Sequence, residues 1–134
     1  MASNASVGVR TQSPSYQAYQ ILHLAFTVAP IVAGLDKFVH FLVDWKIYLA
    51  PVVPPVLGIS ANMIMLGIGA VEVAAGLLVA FAPRIGGWVV GLWLCGIIVN
   101  LLMVGSYFDV ALRDLGLALG AFALARLSVD YSDM

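Results

Sequence analysis

The sequence predicts an all-α integral membrane protein in which four transmembrane helices form a bundle. Composition is the first observation: 63% of the 134 residues are hydrophobic and 10% are charged, which leaves too little polar surface to cover a soluble globule. The second is a set of four apolar segments, each long enough for the roughly 20 residues that a spanning helix needs. The third is the shortness of the connections between the last three segments, which predicts antiparallel neighbours.

The predicted organisation is one small membrane domain with a polar tail at each end. Residues 1–15 form a mobile N-terminal tail, residues 16–128 the membrane domain, and residues 129–134 a C-terminal tail. The predicted spans cover about residues 16–41, 58–82, 85–105 and 108–127. An uncleaved first helix is preferred to a signal peptide, because no A-x-A-like cleavage site occurs at a suitable place.

The first helix is expected to continue beyond residue 41 as an amphipathic helix. Trp45 and Tyr48 would then lie at headgroup level, where amphipathic aromatic rings are favoured. Asp36, His40 and Asp44 are spaced i, i+4, i+8 and would share one face of this helix. We interpret that face as solvated and expect no metal site, because ligands on consecutive turns rarely converge on one ion.

Glu72 is the most informative residue for function. It is the one ionisable side chain between Gly58 and Ala82, so it is placed near the middle of the second span. An acidic residue at a helix centre costs about 2.5–3.5 kcal/mol on insertion scales, and such a group usually faces protein or a water-filled cavity and finds a partner. Two cations are candidate partners: Lys37 has a flexible stem, and Arg113 has a fork that can hold a carboxylate through two hydrogen bonds.

Threading the four segments alternately through a bilayer brings more polar residues into the same half of the membrane. The predicted ligand-binding site or buried polar network consists of Asp36, Lys37, Asn62, Glu72, Asn100, Asp109, Arg113 and Asp114. On the fourth segment, Asp109 and Arg113 are spaced i, i+4 and Gly116 continues their face, which predicts a narrow face turned inward. Three interpretations stay open for the network. The network could be a structural set of salt bridges. It could instead form a pocket that binds a polar headgroup, a quinone ring or a small anion. The third interpretation is a relay for proton or solute translocation.

Several other function classes are disfavoured by the sequence. A formal net charge of −1 without a Lys/Arg cluster argues against nucleic acid as a partner. Cys95 is the single cysteine, so the chain by itself has neither a disulfide nor a dithiol couple. His23 lacks a second imidazole at its depth for a bis-His haem, and we expect it to bond Thr27 or to lie at the membrane interface. No phosphate loop or hydrolase motif occurs, so we expect no intrinsic cofactor and assign no catalytic residue.

Three short motifs carry a resemblance to a known family. Gly34-Leu35-Asp36-Lys37 is a first-helix Gly followed by Lys, and Gly69–Leu78 places Glu72 in a Gly-rich apolar run that precedes the basic turn Pro83-Arg84. At the end of the fourth segment, Ala125–Asp130 is similar to G-R-x-S-x-D. Over roughly residues 20–130 the chain resembles the DoxX-like membrane proteins. The resemblance implies a four-helix protein of the bacterial inner membrane, from a family with members linked to thiosulfate:quinone oxidoreductase and other membrane redox assemblies.

We therefore expect an accessory subunit of a quinone-linked oxidoreductase complex, structural or quinone-contacting rather than independently catalytic. The expected partners are the lipid bilayer and other membrane subunits or further copies of the chain, and a quinone or lipid is the possible ligand. The alternatives are a small proton-coupled carrier that uses Glu72 and a purely structural membrane subunit. Arg10, Arg84 and Arg126 fall on the side of the chain termini, which favours both termini in the cytoplasm.

Overall fold

The computed structural model describes residues 13–132, which contain helices and no strand. The helices are α1 (Pro14–Val39), α2 (Val53–Leu57), α3 (Ala61–Phe81), α4 (Pro83–Val104) and α5 (Phe108–Tyr131), and a 3-10 turn spans Trp45–Tyr48. The predicted all-α class is confirmed for this part of the chain. Most of the predicted N-terminal tail, residues 1–12, and the last two residues lie outside the described residues.

Three of these helices are long and apolar enough to cross a bilayer, namely α1, α3 and α4. Helix α5 is of similar length, but its lower hydropathy reflects five charged side chains along 24 residues. The chain is therefore a membrane protein with three candidate spans among residues 13–132. The fourth span stays a prediction.

The distribution of side chains agrees with lipid contact. Large apolar groups are strongly exposed, with Phe41 at 87%, Phe81 at 76% and Leu92 at 64%, whereas Lys37 and Glu72 are buried at 5% and 8%. In water such an arrangement would leave an extensive apolar surface exposed to solvent. In a bilayer it places hydrocarbon against the apolar groups and keeps the charges within protein.

Helix α1 ends at Val39, so the predicted amphipathic continuation is wrong. His40 adopts left-handed backbone with φ of +56°, and its N–H bonds the carbonyl of Asp36. The chain then forms a loop and the 3-10 turn. Asp36, His40 and Asp44 consequently do not share a helical face.

Close approach of α1 to α3 depends on glycine. A Cβ at Gly34 would come within 2.5 Å of the Gly69 carbonyl oxygen, and one at Gly76 would come within 2.8 Å of the Thr27 carbonyl oxygen. Small residues of this kind drive helix association where lipid offers no hydrophobic incentive. On α4, Gly87 lies in the same way against the backbone of Ala121 on α5.

The glycines therefore build two helix pairs, α1 with α3 and α4 with α5, whose contacts exceed those between α3 and α4. The short connection between α3 and α4 predicts antiparallel neighbours, and the two helices are adjacent. Next to the Ala82 turn that joins α3 to α4, Gly86 packs on Val79. Gly67 and Gly96 face open space.

One hydrophobic cluster joins the four long helices near the end that carries the start of α1 and the end of α5. Its buried members are Tyr19, Phe26, Ala75, Val79, Val90, Ala121 and Leu124. The hydroxyl groups of Ser15 and Tyr131 are 2.7 Å apart, which joins the two ends of the described chain. The buried charged residues lie in the opposite half of the molecule.

Candidate functional site

A buried ion pair joins α1 to α3. Lys37 lies in the last turn of α1 and Glu72 lies near the middle of α3, and the Lys37 ammonium contacts Oε1 of Glu72. The side chains are 6% and 11% exposed. One turn before Glu72, Gly69 leaves room for the lysine stem, since a Cβ there would lie 3.0 Å from Cβ of Lys37. Of the two cations predicted to partner Glu72, the structure places Lys37 there.

The ammonium group of Lys37 is covered on another side by Trp45. Its Nζ lies 3.9 Å from the centroid of the indole ring, within the range of a cation–π contact. The sequence had placed Trp45 in the headgroup region. Trp45 reaches Lys37 because the chain reverses direction after α1, and the local sequence pattern did not predict that reversal.

Asp36 organises that reversal. Its Oδ1 accepts hydrogen bonds from the backbone N–H groups of Phe41 and Leu42, both at 2.9 Å, and its Oδ2 accepts one from Nε1 of Trp45 at 2.7 Å. A carboxylate has enough lone pairs for these donors, and hydrogen bonds to a charged acceptor are the stronger kind. Asp36 therefore holds the loop in place, and the adjacent residue Lys37 binds α3.

A second buried acid approaches from α5. Asp114 is 4% exposed and accepts from Nε and Nη2 of Arg113 at 3.3 and 3.2 Å, while the Arg113 side chain is 63% exposed. The charge of Asp114 acts on Glu72 more weakly than the contacting ammonium of Lys37 does. Glu72 therefore has one cation in contact and a second buried carboxylate at longer range.

The predicted inward face of Asp109 and Arg113 is wrong. Both residues are exposed, and a Cβ added at Gly116 would meet nothing within 4 Å. The buried face of α5 instead contains Ala111, Asp114, Ala118, Ala121, Leu124, Ala125 and Ser128. Small alanines allow α4 to approach this face, and their spacing turns the Asp109–Arg113 face outward.

The two predicted asparagines have different positions. Asn100 on α4 donates from Nδ2 to the Tyr48 carbonyl at 2.6 Å and accepts at Oδ1 from the Ala50 N–H at 2.8 Å. It thus anchors the 3-10 turn to the helices, and Ala50 is fully buried. Asn62 is exposed in the first turn of α3 and is therefore not part of the buried polar network.

His23 takes a position that the sequence did not predict. Its Nε2 lies 2.9 Å from the Val79 carbonyl oxygen near the end of α3, and its ring stacks on Tyr19 with centroids 5.4 Å apart. The expected bond to Thr27 is replaced by this contact between helices. Histidine supports the α1–α3 pair here at the end opposite the charges.

Together, the fold and the site define a small helical membrane protein with an internally paired charge cluster, here called the charge centre and formed by Asp36, Lys37, Trp45, Glu72 and Asp114. Within residues 13–132 no three His, Cys, Asp or Glu side chains are arranged to hold a metal ion. The chain matches no family model, and no curated protein or solved structure gives a significant match. The resemblance to the DoxX-like proteins stays a prediction.

Proposed function

We propose that this chain is an accessory subunit of a quinone-linked membrane oxidoreductase complex, with a structural or quinone-contacting role rather than a catalytic one. The pairing of Lys37 with Glu72 carries the non-catalytic part of the proposal. The ammonium is enclosed by a carboxylate and an indole, and the Asp36 oxygens are occupied by loop donors. These charges hold protein segments together.

The resemblance to the DoxX-like proteins supports the link to redox complexes. Two of its motifs, around Gly34 and around Gly69, supply the residues that bring α1 and α3 into contact. Lys37 and Glu72, which follow those glycines, form the ion pair. The motif residues thus have a physical role in this chain, which is to fix how two spans sit against each other.

We also propose that α5 forms a fourth span. Its outer surface presents Leu112, Leu115 and Leu119, at 71%, 47% and 61% exposure, as a lipid-facing stripe. Asp114 is turned inward to the charge centre, which removes the most deeply placed charge from lipid. The proposed location is the bacterial inner membrane with both chain termini in the cytoplasm, because Arg84 and Arg126 lie at the same end of the helices as the termini.

Purification of the tagged chain from its native membrane in a mild detergent tests the assembly. We expect subunits of an oxidoreductase, or a bound quinone, to copurify in fixed ratio with it. A monodisperse protein that lacks both would overturn the proposal. Glu72→Gln should lower the amount of assembled complex without changing the turnover of each complex that forms, and Asn62→Ala, at an exposed position on the same helix, should change neither.

A second candidate function is a small proton-coupled carrier. The observation that favours it is the burial of two carboxylates, Glu72 and Asp114, whose charges interact, because a buried carboxylate can exchange a proton at membrane depth. Proteoliposomes containing a pH-sensitive dye would then show a proton flux that Glu72→Gln abolishes and the exposed Asp109→Asn preserves. Equal flux from the wild-type chain and Glu72→Gln would remove this candidate.

A further inference from the structure

Two arginines lie in one groove at the end of the molecule that carries the chain termini. The Arg84–Arg126 groove runs between α4 and α5, has a volume of about 400 Å³ and is lined by Arg84, Arg126, Trp88, Ile85, Val89 and Leu92 among others. Arg84 lies in the first turn of α4, and Arg126 lies near the end of α5. The groove is far from the charge centre, which lies toward the opposite end of the helices.

Packing of α4 on α5 creates the groove. Gly87 lies against Ala121 and Ala125, so the two helix backbones are close on one side. The neighbouring Trp88 turns outward and packs on Phe122, with ring centroids 5.2 Å apart, and stays 47% exposed. The indole therefore forms a wall beside the arginines.

The two arginines are available to an anion. Ion pairs among residues 13–132 join Lys37 with Glu72 and Arg113 with Asp114, and neither involves Arg84 or Arg126. The start of α4 adds the positive end of a helix dipole to the same region. A guanidinium fork is well suited to phosphate, because it can donate two parallel hydrogen bonds.

The rest of the lining is apolar and continues along α4 away from the arginines. Ile85, Val89 and Leu92 are 56%, 39% and 64% exposed, on a helix that is apolar and long enough to cross a bilayer. A tryptophan beside basic residues is typical of the headgroup level of a membrane. The groove thus combines a cationic end at headgroup depth with a wall suited to hydrocarbon.

We propose that the Arg84–Arg126 groove binds one anionic phospholipid, with the lipid phosphate between the two guanidinium groups and an acyl chain along Ile85, Val89 and Leu92. Basic pockets between membrane helices recognise anionic headgroups in this way. The inference depends on the membrane location of the chain and is independent of the proposed oxidoreductase assembly.

Native mass spectrometry of the full-length protein in a neutral detergent tests the proposal, with phosphatidylglycerol and phosphatidylcholine of identical acyl chains as probes. A basic residue near an anionic lipid contributes about fivefold in binding, so we expect phosphatidylglycerol to bind about tenfold or more tightly than phosphatidylcholine. The double variant Arg84→Gln/Arg126→Gln should bind the two lipids equally. If that variant does not fold, the single Arg84→Gln should lose about fivefold in phosphatidylglycerol binding.

Lys46→Gln is the matched control for a single lost charge, since Lys46 lies in the 3-10 turn at the other end of the molecule. It should leave lipid preference unchanged. Val89→Trp should weaken binding of both lipids by filling the apolar part of the groove. An excess of inorganic phosphate should not displace the lipid.

The proposal would be overturned if Arg84→Gln/Arg126→Gln kept the same lipid preference as Lys46→Gln. Full displacement of the lipid by inorganic phosphate, with no effect of Val89→Trp, would also overturn it. A third contrary result would be a copurifying protein that the double variant releases while lipid binding persists. The first denies a role to the arginines. The second identifies a phosphate site, and the third a protein interface.

Discussion

Nε1 of Trp45 donates a hydrogen bond of 2.7 Å to Oδ2 of Asp36, and this bond holds the indole in position over the next residue, Lys37. The same loop is held to Asp36 through its backbone N–H groups and to α4 through Asn100. The segment between α1 and α2 is therefore held in place over the Lys37–Glu72 ion pair.

Asp36→Asn should lower the unfolding temperature by several degrees. An amide offers one acceptor oxygen in place of two and turns an NH2 group toward other N–H donors, so at least one loop donor loses its partner. Thermal unfolding in detergent, followed by circular dichroism, measures the change. Asp44→Asn is the control, because Asp44 is exposed and its side chain accepts a single 3.2 Å bond from the Lys46 N–H. Equal shifts for the two variants would contradict the assigned role of Asp36.

Removing one member of the Lys37–Glu72 pair should cost about 3–5 kcal/mol in the free energy of unfolding, because the other charge is left buried without a partner. Lys37→Met and Glu72→Gln are the single variants. The double variant Lys37→Met/Glu72→Gln should recover most of that loss. Denaturant titration in mixed micelles provides the double-mutant cycle, and additive losses would show that the two residues do not interact.

Gly34→Ala should destabilise the α1–α3 pair by about 1–3 kcal/mol, the usual cost of overpacking, because its Cβ would meet the Gly69 carbonyl oxygen. Gly96→Ala is the control at a helical glycine with open space around it. There we expect no loss and a gain of up to about 1 kcal/mol from helix propensity. The same micelle titration measures both, and a loss at Gly96 equal to that at Gly34 would contradict the packing.

Asn100→Ala should release the 3-10 turn from α4. Its amide makes two hydrogen bonds to the backbone of that segment, and the buried Ala50 N–H is left unsatisfied when it is removed, at about 1–3 kcal/mol. Hydrogen exchange at the Ala50 amide should become about tenfold faster or more, since 1.4 kcal/mol is a factor of ten. The exposed Asn62→Ala should leave the exchange rate of that amide as it is.

The charge centre was predictable in part. Glu72 is alone in a long apolar segment, so its need for a partner follows from the cost of a bare charge in hydrocarbon, and Lys37 was one of two cations within reach. The choice of Lys37 over Arg113 depends on which face of α5 is buried. The i, i+4 spacing of Asp109 and Arg113 indicated a shared face, but it contained no information on whether that face points inward or outward.

The helical class, the approximate helix bounds and the membrane location could be predicted from the sequence, because these follow from apolar segment length, proline and glycine positions and the scarcity of charge. The folded structure was needed to show which helices pair, how Trp45 comes to cover Lys37, and how Arg84 and Arg126 come to share a groove. These features join residues that are distant along the chain. Their contacts depend on the rotation of each helix about its axis, which the close packing of small residues sets. They also depend on the path of the loop after Val39, which is held by hydrogen bonds to Asp36 and Asn100.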